Sequence, residues 1–99
     1  MSHTPLWTAA SLAAVTGGRL IGSDRAVTGV SIDTRTLQAG DVFIALRGPH
    51  LDGHEYIAAA RAKGAACVIA EQGSEEGTIV VADTFQALHD IGRGARARS

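Results

Sequence analysis

Three apolar runs stand out along the chain. Val42-Phe43-Ile44-Ala45-Leu46, Ala66-Cys67-Val68-Ile69-Ala70 and Thr78-Ile79-Val80-Val81 are of strand length. Uninterrupted runs of this kind suit strands covered on both faces. Two further strands are predicted, at Arg19 to Ile21 and at Val30-Ser31-Ile32-Asp33. The alternation in the second predicts one buried face carrying Val30 and Ile32. Other apolar positions recur at helical spacing. Thr8 is placed to cap a helix running to about Thr16, with Leu12 and Val15 inward. Ser11 stands where a capping box takes Glu or Gln, so this cap is expected to be half formed. Gly17-Gly18 stops the helix. Asp52 or Gly53 is expected to cap a second helix through Lys63, with Tyr56, Ile57 and Ala60 inward and Gly64 at its end. Asp83 caps a third, with Phe85, Leu88 and Ile91 on one stripe, and Gly92 and Gly94 weaken its far end.

Between these elements lie a turn at Ser23-Asp24-Arg25 and a loop from Thr34 to an Ala39-Gly40-Asp41 turn. A glycine- and proline-bearing loop runs from Arg47 to Gly53, and an acidic, solvated loop from Glu71 to Gly77. Strands alternating with amphipathic helices predict an α/β domain: a small open sheet, at least partly parallel, with helices packed against it. The strand–helix–strand unit from Val42 to Ala70 is expected to be a right-handed parallel crossover. There is no internal repeat.

Composition narrows the functional classes. Ninety-nine residues suffice for one domain with one modest core. A formal charge of -1 gives no reason to expect nucleic acid or an anionic membrane as partner. No segment reads as a signal peptide or membrane span, which suggests a cytoplasmic protein. The single cysteine, Cys67, excludes an internal disulfide and reads as a small buried hydrophobe. No G-x-x-x-x-G-K-[ST] or G-x-G-x-x-G segment is present, so no ATP-binding loop is expected in this chain. Arg93, Arg96 and Arg98 fit either a phosphate-binding tail or, as the favoured reading, the last turns of a solvated helix, where cations offset the dipole. His50, Asp52 and His54 include metal-ligating types, but their spacing is not that of a zinc site.

The strand ends hold the remaining candidate chemistry. Asp33-Thr34-Arg35 follows one strand, and Gly48 to His54 follows the next. Ligands of open α/β sheets sit beyond the carboxyl ends of strands. A hydroxyl, a guanidinium, glycine-loop amides and histidines suit an anionic, hydrogen-bonding ligand. The alternative is a local Asp33–Arg35 ion pair beside loops that merely turn.

The run Gly29-Val30-Ser31-Ile32-Asp33-Thr34-Arg35 opens a series of motifs. It is followed by Gly40-Asp41-Val42-Phe43-Ile44-Ala45-Leu46, Gly48, Asp52-Gly53-His54 and Gly64-Ala65. Their order and spacing resemble the N-terminal domain of the Mur ligases. Trp7-Thr8-Ala9-Ala10, Gly17-Gly18 and Asp83-Thr84 fit as well, so the resemblance spans nearly the whole chain. Two kinds of ligase share this domain type, one adding the third residue of the cell-wall peptide and one adding D-alanyl-D-alanine. The early tryptophan, Asp33-Thr34-Arg35-Thr36-Leu37 and the His54 that follows Asp52-Gly53 look more like the second.

The resemblance implies a three-domain ligase whose first domain holds the uridine-diphosphate end of a UDP-N-acetylmuramoyl peptide. It implies that residues 1–99 are that domain alone, and that they lack ligase activity by themselves. The ATP-binding domain, with its magnesium, and the C-terminal domain would lie outside this chain. It assigns no catalytic residue and no metal ligand here. Thr34 matches the family's Ser/Thr and is expected to hydrogen-bond the uridine part. Arg35 is expected to meet the diphosphate or brace Asp33. Gly48, Pro49, His50, Asp52, Gly53 and His54 match a loop that approaches the nucleotide. On the rival reading, the chain is a non-enzymatic interaction module built on the same architecture.

Overall fold

A computed structural model describes residues 7–48, 51, 52 and 56–98. The elements, in chain order, are β1 (Trp7–Thr8), α1 (Ala9–Thr16), β2 (Arg19–Ile21), β3 (Ala26–Val27), β4 (Gly29–Ser31), β5 (Asp41–Ile44), β6 (Arg47–Gly48), β7 (Leu51–Asp52), α2 (Ile57–Ala62), β8 (Cys67–Ala70), β9 (Thr78–Val80) and α3 (Thr84–Arg98). Five strands form the main sheet in the order β2-β9-β8-β5-β4. β4, β5, β8 and β9 run parallel, and β2 pairs antiparallel with β9. Two small ribbons, β1–β3 and β6–β7, complete the strands.

The apolar runs occupy the centre of this sheet, where every residue of β5 and β8 is buried. Alternate residues feed two cores. Val42, Ile44, Cys67, Ile69 and Ile79 pack with Leu12 of α1 and with Ala87 and Ile91 of α3. Phe43, Ala45, Val68 and Ala70 pack with Leu37 and with Ala60 of α2. Each large aliphatic or aromatic side chain buried this way contributes about 1.5–3 kcal/mol. Cys67 is one of these core residues, and burial pushes its thiol up to about 11.

Capping residues set the helix starts. The Thr8 hydroxyl accepts the Ser11 N–H at 3.1 Å, and the Ser11 hydroxyl accepts the Thr8 N–H at 3.0 Å. The expected half cap is therefore a complete one, because a serine hydroxyl reaches the N-cap amide as a Glu side chain would. Gly17, at φ 69°, closes α1. Asp83 accepts from the Phe85 and Gln86 amides at 2.9 and 3.3 Å, as expected of a cap. Glu71 adds a second carboxylate on the Thr84 amide and hydroxyl. α3 continues through Gly92 and Gly94 to Arg98.

Four expectations need correction. First, Val30 and Ile32 are 37% and 52% exposed, and the buried residue of β4 is Ser31. β4 is an outer strand, and Ser31 is satisfied inside because its hydroxyl donates to the Asp33 carbonyl at 2.8 Å. Second, Asp52 does not cap α2. It lies in β7 opposite Arg47, and α2 starts after Tyr56 with no side-chain cap. Third, Tyr56 faces outward at 48% exposure. Fourth, Phe85 is 47% exposed. The inward stripe of α3 is Thr84, Ala87, Leu88 and Ile91, the i, i+3, i+4, i+7 set one residue out of phase with Phe85.

β5, α2 and β8 form the expected parallel crossover unit. β8 and β9 are also parallel, yet only residues 71–77 join them. Two arginines pin this connection. Arg25 donates to the Ala66 carbonyl and to Glu76, each at 3.1 Å. Arg61 donates to the Glu76 carbonyl at 3.1 Å and to the Thr78 hydroxyl at 2.7 Å, and pairs with Glu75 at 3.4 Å. The acidic loop is thus anchored as well as solvated.

Candidate functional site

The carboxyl ends of β4 and β5 open into a cavity of about 500 Å³ lined by Ile32, Asp33, Thr34, Arg35, Phe43, Leu46 and Tyr56. Phe43 and Leu46 are core residues and supply its floor. Ile32 and Tyr56 bring exposed apolar surface to its walls. Apart from the Tyr56 hydroxyl, the polar side chains come from one turn, residues 33–36, as Asp33, Thr34 and Arg35. Its position follows from the sheet, since parallel neighbours end on the same side and the chain must leave β4 there.

The turn is held by its own hydrogen bonds. Ser31 Oγ and the Thr36 amide both donate to the Asp33 carbonyl, at 2.8 and 3.2 Å. The Arg35 amide donates to Asp33 Oδ1 at 2.8 Å. The Arg35 guanidinium adds Nη2 to Oδ2 at 2.8 Å and Nε to both oxygens at 3.1 and 3.2 Å. The expected ion pair therefore exists, and it sits on the cavity wall. Arg35 remains 87% exposed, so the pair braces the guanidinium without burying it.

Those bonds hold the Asp33 carboxyl at about 2, below its ordinary 3.8, with the Arg35 side-chain bond the leading cause. The stabilising contribution of a carboxylate with a lowered pKa is complete above the unfolded value and is lost as pH falls through the folded one. The Asp33 side-chain carbon, followed by NMR, is expected to titrate near pH 2 with the turn intact at pH 4. A midpoint near 4 would show that the Arg35 pair does not persist in solution.

Of the residues proposed from sequence, the structure brings Thr34 and Arg35 together on the cavity. Gly48 and Asp52 lie in the β6–β7 ribbon that follows β5, with Gly48 opposite Leu51. Pro49, His50, Gly53 and His54 lie outside the described residues. Sequence reasoning missed the apolar side of the site. The apolar run marks Phe43 and Leu46 only as strand residues, and helical spacing marks Tyr56 as a core residue. The available signal was an aromatic beside the Asp52-Gly53-His54 motif. Among the described residues, no cluster of His, Cys, Asp or Glu could hold a metal. Nor is any helix there long and apolar enough to cross a membrane.

A mostly parallel α/β domain with a mainly apolar cavity at its strand ends, edged by the polar 33–36 turn, has the form in which small-molecule sites are found. Comparison with known proteins makes this specific. The family described as "Mur ligase family, catalytic domain" matches residues 26–98. The chain is 35% identical, over 83 residues, to the UDP-N-acetylmuramoyl-tripeptide--D-alanyl-D-alanine ligase of Synechocystis, covering 79% of this chain and 18% of that protein. It is 50% identical over 50 residues to the UDP-N-acetylmuramoyl-L-alanyl-D-glutamate--2,6-diaminopimelate ligase of Bacteroides thetaiotaomicron, covering 50% of this chain and 10% of that one. A crystal structure of MurF from Acinetobacter baumannii superposes with a TM-score of 0.73 at 32% identity, over 87% of this chain and 20% of the other. The chain belongs to the Mur ligase family. It spans about a tenth to a fifth of the length of these relatives.

Proposed function

We propose that residues 1–99 form the domain that holds the uridine-diphosphate end of UDP-N-acetylmuramoyl-tripeptide. The parent would be a cytoplasmic, ATP-dependent ligase that adds D-alanyl-D-alanine during peptidoglycan synthesis. The observation that carries this reading is the cavity beyond β4 and β5, with Thr34 and a braced Arg35 on an apolar floor. Its volume lies within the range of small-molecule sites. The Thr34 hydroxyl offers a donor and an acceptor to the uridine part. Asp33 occupies Nε and Nη2 of Arg35, and Nη1 has no hydrogen bond to a described residue, leaving it for a diphosphate oxygen. Gly48 and Asp52, in the β6–β7 ribbon that follows β5, are proposed to contact the nucleotide as well, and the family resemblance extends that role to Pro49, His50, Gly53 and His54.

The domain's contribution is binding energy far from the reacting carboxylate. Holding the nucleotide end positions the peptide end for chemistry on other domains. In such a ligase ATP with magnesium would activate the carboxylate of the substrate, but the described groups do not form a phosphate loop that would hold them. The single lysine, Lys63, donates to the Thr34 carbonyl. The Thr84 hydroxyl at the start of α3 donates to Glu71. A phosphate loop would need such groups beside a glycine-rich turn. On this reading ATP and magnesium belong to other domains of the parent ligase, and the 99-residue chain alone is expected to show no ATP turnover.

The diaminopimelate ligase is the second reading, favoured by 50% identity over half the chain. The wider coverage, 79%, belongs to the D-alanyl-D-alanine ligase. Steady-state assay of the complete ligase separates them. Amide formation with D-alanyl-D-alanine on the tripeptide substrate is expected, and activity only with diaminopimelate on the dipeptide substrate would reverse the assignment. In the 99-residue chain, Thr34→Val is expected to weaken calorimetric binding of UDP-N-acetylmuramoyl-tripeptide roughly five- to tenfold. Unchanged affinity would remove Thr34 from the site.

A further inference from the structure

The peptide unit between Thr34 and Arg35 is gripped at both ends. Its N–H, from Arg35, donates to Asp33 Oδ1 at 2.8 Å. Its carbonyl, from Thr34, accepts a hydrogen bond from Lys63 Nζ. Lys63 lies 29 residues away, at the C-terminal cap of α2. The two bonds point in opposite directions from one rigid plane, since the peptide bond does not rotate. Fixing that plane fixes ψ of Thr34 and φ of Arg35. Those torsions set how the Thr34 and Arg35 side chains are carried into the cavity.

The base of the lysine is itself seated. The Gly40 amide donates to the Gly64 carbonyl at 2.9 Å, and a Cβ on Gly64 would lie 3.2 Å from Ala39 Cβ. α2 therefore meets the 32–40 loop twice, at the Ala39–Gly40 corner and, through the Lys63 stem, at Thr34. Lys63 also places a second cation near Asp33, and its field adds to that of Arg35 in lowering the Asp33 carboxyl. A charged donor on the carbonyl polarises the peptide and strengthens the bond its N–H makes at the other end. Lys63, the peptide plane, Asp33 and the Arg35 guanidinium thus form one chain of contacts running into the cavity.

We propose that Lys63 is a positioning residue for the cavity, acting through the Thr34–Arg35 peptide plane without touching the ligand itself. The binding arm of its test rests on the reading given under Proposed function; the structural arm does not. The experiment compares wild type, Lys63→Met and Lys63→Arg in the 99-residue chain, using UDP as the probe. In Lys63→Met the Arg35 amide resonance is expected to move, and the Asp33 titration midpoint to rise. UDP affinity is expected to fall roughly three- to tenfold, the effect of losing one hydrogen bond from the site's support. Lys63→Arg, which keeps charge and donors, is expected to recover most of both NMR changes. An Arg35 amide and an Asp33 midpoint that stay at wild-type values in Lys63→Met would overturn the proposal, whatever the affinity does. If wild type itself fails to bind UDP, the functional reading fails, and the two NMR signals still decide the role of Lys63.

Discussion

Phe43→Ala is expected to lower the free energy of unfolding by about 3–5 kcal/mol, the range for removing a buried aromatic side chain. Phe43 is 1% exposed and sits in β5, the strand between β4 and β8. Its side chain packs with Leu37, Ala60 and Val68, so truncation leaves a void shared by the sheet, α2 and the 32–40 loop. A domain of this size has only about 5–15 kcal/mol to lose. Phe43 is also the floor of the cavity. The same substitution is therefore expected to abolish saturable UDP binding in protein that remains folded. Urea unfolding measures the first effect and calorimetry the second. A loss below 1 kcal/mol, or unaltered UDP affinity, would contradict the placement of Phe43 between core and site.

Gly18→Ala is the second large effect, expected to cost about 1–3 kcal/mol through overpacking. Gly17 and Gly18 look equivalent in the sequence but serve different ends. Gly17 adopts φ 69° with nothing within 4 Å of an added Cβ, so its requirement is conformational. At Gly18 a Cβ would lie 2.8 Å from the Val80 carbonyl oxygen, 2.8 Å from Val81 Cγ1 and 2.9 Å from Ile79 Cγ2. The oxygen belongs to the backbone of a central strand and cannot swing aside. Relief would require β2 to part from β9, loosening the antiparallel edge where Leu20 pairs with Ile79. Denaturant midpoints for Gly18→Ala and Gly17→Ala are expected to fall in that order, Gly18→Ala being lower. The reverse order would show that turn conformation, and not close approach, governs this junction.

Local features of the fold were legible because their causes are local. The apolar runs at 42–46 and 66–70 contain β5 and β8. Thr8, Gly17 and Asp83 mark helix ends through bonds to neighbours within four residues. The motif at Asp33-Thr34-Arg35 was legible as a strand-end turn for the same reason. What escaped depends on distant partners. Alternation alone gave the period of β4 but not its sense, which follows from an edge position and from the polar partner that Ser31 finds in Asp33. Tyr56 belongs to the cavity because α2 starts later than the Asp52 signal suggests. Lys63 reaches the turn only once the crossover brings α2 beside the 32–40 loop. The anchoring of the acidic loop by Arg25 and Arg61 spans 15 to 51 residues of sequence, beyond any pattern of spacing.

The cavity beyond β4 and β5 is proposed to receive the uridine-diphosphate end of the muramoyl-peptide substrate. Amide NMR of the 99-residue chain during titration with UDP-N-acetylmuramoyl-tripeptide tests it most directly. Saturable shifts centred on Ile32, Thr34, Arg35 and Leu46 are expected, reproduced by UDP alone and absent with the tripeptide alone. Shifts confined to the Arg93–Arg98 end of α3, or no saturable shift around the 33–36 turn, would contradict it.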